Sequence, residues 1–199
     1  MKKLLTLAGL LAVLTLPVHA AVLLTVDVTN PLAVTFTATS NFSLTNNSSF
    51  TENDGTDLIA FFTSTSTSSG ATTGTLRPAG TTNNFNTMSP DNYSGSIIDL
   101  NLFTIPGTEF QAYTTSTTAF TGVATINLGG DFLPSPGASG DIRAGFYGSG
   151  SGSLSGILGT WTVVPEPSTF APVIALAALA GAMWSRQRRK VALPVVVPA

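Results

Sequence analysis

The sequence predicts an all-β protein, an antiparallel β-sandwich or jelly roll, flanked by an N-terminal signal peptide and a single C-terminal transmembrane helix. Three observations carry this. Apolar and hydroxyl side chains alternate at period two through the middle of the chain, as strands with one buried face require. Turn-forming residues punctuate those runs at short intervals. Long uninterrupted apolar runs occur only near the two ends.

In Leu32–Thr39 the residues Leu32, Val34, Phe36 and Ala38 fall on one face and threonines on the other. Phe120, Gly122, Ala124, Ile126 and Leu128 repeat the pattern. Shorter candidates are Val22–Val28, Leu58–Thr63, Ile97–Phe103, Phe110–Thr114, Ile142–Phe146 and Ile157–Val164. Between them stand Asn-Asp-Gly at 53–55, Pro-Gly at 106–107, Gly-Gly at 129–130 and Pro-Ser-Pro-Gly at 134–137. No stretch of the middle has a helical period. The Ser/Thr/Gly-rich segments 63–75 and 148–156 read equally as loops or as polar edge strands.

Only 9% of the 199 residues are charged, against roughly 25% in ordinary soluble domains, while 43% are hydrophobic. Six of the eight basic residues (Lys2, Lys3, Arg186, Arg188, Arg189 and Lys190) lie at the ends, which leaves Arg77 and Arg143 in an otherwise acidic middle. Phosphate neutralisation needs clustered Lys and Arg, so nucleic-acid binding by this part is excluded. The chain has no cysteine, so disulfides and thiolate chemistry are absent.

Residues 1–20 read as a secretory signal: Lys2 and Lys3, an apolar run from Leu4 to Leu16, then Pro17 and a small-residue cleavage site. Val18 and Ala20 occupy the −3 and −1 positions if signal peptidase cuts before Ala21. The lone histidine, His19, would leave with the signal. The exported β domain then spans 21–163.

The C-terminal part begins with Val164-Pro165-Glu166-Pro167-Ser168. Two prolines hold Glu166 extended with little conformational entropy left to lose, which suits a protease or transpeptidase groove. An apolar segment follows, read as a transmembrane helix at about 169–185, and then a basic stop of Arg186, Arg188, Arg189 and Lys190. Cationic residues after a span stay cytoplasmic, so both ends would point inward and the middle would be exported. Residues 191–199 add a further tail.

At these positions the chain resembles the PEP-CTERM family of exosortase substrates. The resemblance covers residues 164–190 and rests on the motif, the apolar segment and the basic cluster in that order, paired with a signal peptide. It implies recognition of Pro165-Glu166-Pro167 by exosortase in the inner membrane. The precursor would be anchored transiently and its tail removed, with delivery to the cell surface or extracellular matrix of an exopolysaccharide-producing Gram-negative bacterium. The tail 191–199 departs from the family pattern, and the same parts also fit an anchor that is never cut.

Without His, Cys or Lys in the exported domain there is no imidazole base, Ser-Lys dyad or typical zinc site. The expectation is no catalytic activity, no cofactor and no metal. A carboxylate pair remains as the glycosidase alternative, with Glu52, Glu109 or the aspartates as its candidates. Glu52, Asp54 and Asp57 form the densest oxygen-ligand cluster, a weak calcium candidate and more simply a solvated turn. The alternative function is a carbohydrate-binding or adhesive module, calcium-dependent if that cluster holds the ion, with Tyr93, Tyr113, Tyr147 and Trp161 as stacking candidates beside their simpler role in core packing. Exopolysaccharide would then be its partner. Asn41, Asn46, Asn47 and Asn92 match the glycosylation sequon, a pattern common by chance in such a composition.

Overall fold

A computed structural model describes residues 21–93, 95–129, 132–146 and 153–164. The predicted signal peptide, sorting motif, transmembrane helix, basic cluster and tail therefore lie outside the described residues, apart from Ala21 and Val164. Among the described residues no helix is long and apolar enough to cross a membrane. Apart from a 3-10 turn at Pro31–Ala33, the regular structure is all β.

The strands are β1 (Val22–Asp27), β2 (Val34–Ala38), β3 (Thr56–Leu58), β4 (Gly70–Gly74), β5 (Arg77–Pro78) and β6 (Thr87–Asp91). They continue with β7 (Asp99–Phe103), β8 (Phe120–Thr121), β9 (Val123–Ile126), β10 (Ser139–Phe146), β11 (Ser153–Leu154) and β12 (Gly159–Val163). One sheet runs β11-β10-β12-β1-β2-β9-β4-β6-β7-β3, and β3 pairs again with β10. Ile142 makes the closure: it is opposite Gly159 of β12 on one side and Leu58 of β3 on the other. With β11 attached only to the far end of β10, the other nine strands of this sheet form a closed barrel, and β5 pairs apart with β8. The expected sandwich of two facing sheets gives way to this barrel, and the expected antiparallel pairing has one exception. β1 and β12 run parallel, with Val26 opposite Val163.

Alternation fills the barrel with side chains. Val34 and Phe36 of β2, Ala124 and Ile126 of β9, and Trp161 and Val163 of β12 point inward and are buried. The Ile59–Thr63 loop adds Phe61, whose ring lies 5.6 Å from Phe36 and 5.2 Å from Trp161, centroid to centroid. A barrel of this strand number has an interior just wide enough for such packing. At the end where β2 finishes, segments 42–51 and 110–118 form an irregular antiparallel ribbon through Phe42–Thr118, Asn47–Tyr113 and Thr51–Phe110. Its Tyr113 packs on Phe120 at 5.4 Å.

Several expected strands are shorter than their apolar patterns. Leu32–Thr39 becomes a turn followed by β2, and Pro31 with the Asn30 side-chain cap explains why. Phe120–Leu128 splits into β8 and β9 at Gly122, whose φ of +88° breaks the extended run. Phe110–Thr114 makes isolated bridges in the ribbon instead of a strand. Within the Ser/Thr-rich 63–75 segment, Gly70–Gly74 is a barrel strand between β9 and β6. No sequence pattern announces β6, because Pro90 argues against a strand interior. Pro90 lies beyond the stretch Thr87–Met88 that pairs with β4, so it interrupts no ladder on that side.

Candidate functional site

On strands β10, β3, β7 and β6 the residues alternating with the core point outward, yet several are buried. Arg143, Asp57, Asn101 and Ser89 lie side by side in register, with Asp99 and Asp91 paired one step along. Asp57 and Asp99 are 0% exposed, Asn101 1% and Asp91 2%. Neither Asp57 oxygen receives a hydrogen bond from an N–H or hydroxyl donor. Burial pushes the Asp57 carboxyl up to about 10, reinforced by a hydrogen bond with Asp91 and by the charges of Asp91 and Asp99.

The neighbours are anchored elsewhere. Asp91 accepts the Asn92 N–H at 2.7 Å, and Asp99 accepts the Ala60 N–H at 2.6 Å. The Arg143 guanidinium lies 5.2 Å from the Tyr93 ring centroid and donates to the Ser155 carbonyl at 2.9 Å. Asn101 donates to the Asp54 carbonyl at 3.0 Å while its Oδ1 packs over Gly55, where any Cβ would come within 2.1 Å of it. A protonated carboxyl such as that of Asp57 can pass on its proton, but Asp57, Asp91 and Asp99 are all closed to solvent. The arrangement ties four strands together.

The calcium candidates do not converge. Glu52 accepts from Asn83 at 3.0 Å, Asp54 caps its own turn by accepting from Thr51 N–H and hydroxyl at 2.7 and 2.8 Å, and Asp57 faces Asp91. Among the described residues no group of three or more His, Cys, Asp or Glu is placed to hold a metal ion. Of the glycosidase candidates, Glu52 is buried, whereas Glu109 is partly exposed and held by Thr82. The Thr82 hydroxyl and then its N–H keep the Glu109 carboxyl below its usual range.

Two of the four aromatic candidates belong to the core. Trp161 is 1% exposed and donates to the Ile59 carbonyl at 3.1 Å. Tyr113 is 1% exposed, with its hydroxyl 2.7 Å from Thr56 and 2.8 Å from Gln111. Burial raises its hydroxyl far above the usual range. Tyr93 is the surface member at 38% exposed, and Tyr147 lies outside the described residues. Sequence reasoning missed a depression of about 240 Å³ lined by Asn53, Ser89, Asn101, Phe103 and Ile105. Its lining is amide, hydroxyl and apolar, without charge, and the pairing of β7 with both β6 and β3 brings it together. A second depression of about 310 Å³ lies along the ribbon at Asn46–Ser49 and Ala112–Thr114.

No family model, curated protein or solved structure matches the chain.

Proposed function

We propose that the chain is the precursor of an exported, non-catalytic surface or extracellular-matrix protein, with signal peptidase acting before Ala21 and exosortase acting at Pro165-Glu166-Pro167. The observation that supports this most is where the fold starts and stops. β1 begins at Val22, one residue after the predicted first cut, and β12 ends at Val163, two residues before the motif. The boundary between the two units of the chain also falls between Val163 and Val164. The Ala21 carbonyl accepts the Thr160 N–H at 2.9 Å, and a cut before Ala21 keeps that contact. Both cuts would leave the barrel whole.

Intact mass spectrometry of protein recovered from cells and medium tests this. A species running from Ala21 to the 165–168 region is expected. A species that keeps Phe170–Ala199 throughout would replace exosortase processing with a permanent inner-membrane anchor.

The second reading, a carbohydrate-binding or adhesive module, is favoured by the uncharged depression at Asn53, Ser89, Asn101, Phe103 and Ile105. Amide and hydroxyl groups beside an aromatic edge suit a neutral sugar ring. Polysaccharide pull-down that is lost on Phe103→Ala would support it, and retention unchanged by that substitution would remove it. This reading does not draw on Glu52, Asp54 and Asp57 as a calcium site, because they point to separate partners.

A further inference from the structure

Three apolar side chains stand exposed on loops at the end of the barrel where β12 finishes: Leu32 at 65%, Ile97 at 40% and Phe132 at 56%. These loops are bonded to one another. Leu128 donates to the Pro31 carbonyl at 2.9 Å, and the Leu32 side chain lies against Gly129, within 2.7 Å of where a Cβ would sit. Thr63 donates to the Phe132 carbonyl at 2.8 Å and Ser66 to the Ile97 carbonyl at 2.9 Å. Gly137, from the same loop as Phe132, donates to the carbonyl of Val163 at 3.1 Å. The chain thus leaves the barrel among these loops.

Covalent geometry then limits how far this end can stand from the apolar run near the C-terminus. Five residues, Pro165–Thr169, separate Val164 from that run, Phe170–Trp184. From Val164 to Phe170 is six residue steps, which at roughly 3.3–3.6 Å per extended residue reach at most about 22 Å. If the run sits in a bilayer, the β12 end is held close to the headgroup layer. Exposed Leu, Ile and Phe at such a distance gain by entering the interface. The described residues of these loops supply one exposed charge, Asp27, and no basic side chain to attract anionic lipid.

We propose that, before tail removal, the β12 end of the barrel rests on a zwitterionic lipid surface through Leu32, Ile97 and Phe132. The proposal depends on the anchored-precursor reading above. Docking of this kind fixes the orientation in which Pro165-Glu166-Pro167 is presented at the membrane.

The absence of cysteine makes the test direct. Residues 21–199 are reconstituted into phosphatidylcholine vesicles carrying headgroup nitroxides, with a fluorophore on Leu32→Cys, Ile97→Cys or Phe132→Cys. Controls carry it on Phe42→Cys or Phe110→Cys, apolar positions of similar exposure at the opposite end. Several-fold stronger quenching at 32, 97 and 132 than at 42 and 110 is expected, without need for phosphatidylglycerol. Equal quenching at both ends overturns the docking while leaving the anchor intact, as does quenching that needs anionic lipid. Quenching that follows protein density instead of nitroxide content would identify a second copy as the occupant and also overturns it. Failure of the chain to float with vesicles defeats the anchor reading and this proposal together.

Discussion

The Asp99 carboxylate accepts the Ala60 N–H at 2.6 Å, and Ala60 is held at a φ of +54°. An L-residue in this left-handed region is disfavoured by about 1–2 kcal/mol. The bond fixes the turn that swings Phe61 into the barrel against Phe36 and Trp161. Ala60→Gly relieves the strain and loses some through added chain entropy, so a net gain of about 0.5–1 kcal/mol is expected. Thermal melting should rise by a few degrees. A fall in melting temperature would show that the Ala60 methyl contributes packing that outweighs the strain.

The buried Asp57 carboxyl makes stability depend on pH. In the unfolded chain Asp57 loses its proton near its ordinary value of 3.8, whereas in the fold it keeps the proton up to about 10. The folded state therefore binds more protons between these values, and stability falls as pH rises through that window. Its contribution is complete only below pH about 4. Asp57→Asn keeps the shape and removes the titration. It should flatten the urea midpoint against pH and raise stability at pH 8 by about 1–3 kcal/mol. A pH profile identical to that of the parent chain would mean that Asp57 is not the titrating group.

Much of the wall was legible from residue patterns, because a strand with one buried face writes its burial into alternate positions. Val34–Ala38 and Gly159–Val163 show this directly. The closure was not legible, since it depends on Ile142 finding partners 84 residues before it and 17 after it, at Leu58 and Gly159. No local period encodes such a pairing. The Glu52–Asp57 cluster misled for the same reason. Adjacent carboxylates in sequence were sent to Asn83, Thr51 and Asp91, because β3 begins at Thr56 and turns Asp57 onto the barrel wall.

Tyr113 closes a buried polar triangle with Thr56 and Gln111, whose amide also donates to the carbonyls of Thr51 and Gly55 at 2.6 and 2.7 Å. Tyr113→Phe removes one member and leaves the other hydroxyl and amide buried. A loss of about 1–2 kcal/mol in chemical denaturation is expected. A neutral result would show that Thr56 and Gln111 satisfy one another without the phenol.

The aromatic residues separate into two classes by substitution. Trp161→Ala empties the barrel centre and should cost about 3–5 kcal/mol. Tyr93→Ala removes an exposed ring over Arg143 and should cost at most about 1 kcal/mol. Equal losses in melting experiments would contradict the different burial of the two rings.

The parallel pairing of β1 with β12 sets a timetable. The first strand to emerge from any N-to-C-terminal process waits for the last, across some 130 intervening residues. Until Gly159–Val163 arrive, β1 and β10 each present an unpaired edge open to pairing with other chains. Closure of so long a loop is entropically slow, and contacts this distant in sequence are characteristic of slow folders. The barrel is consequently completed only when the residues adjoining Pro165-Glu166-Pro167 have themselves been delivered, so an incomplete chain is also an unsealed one.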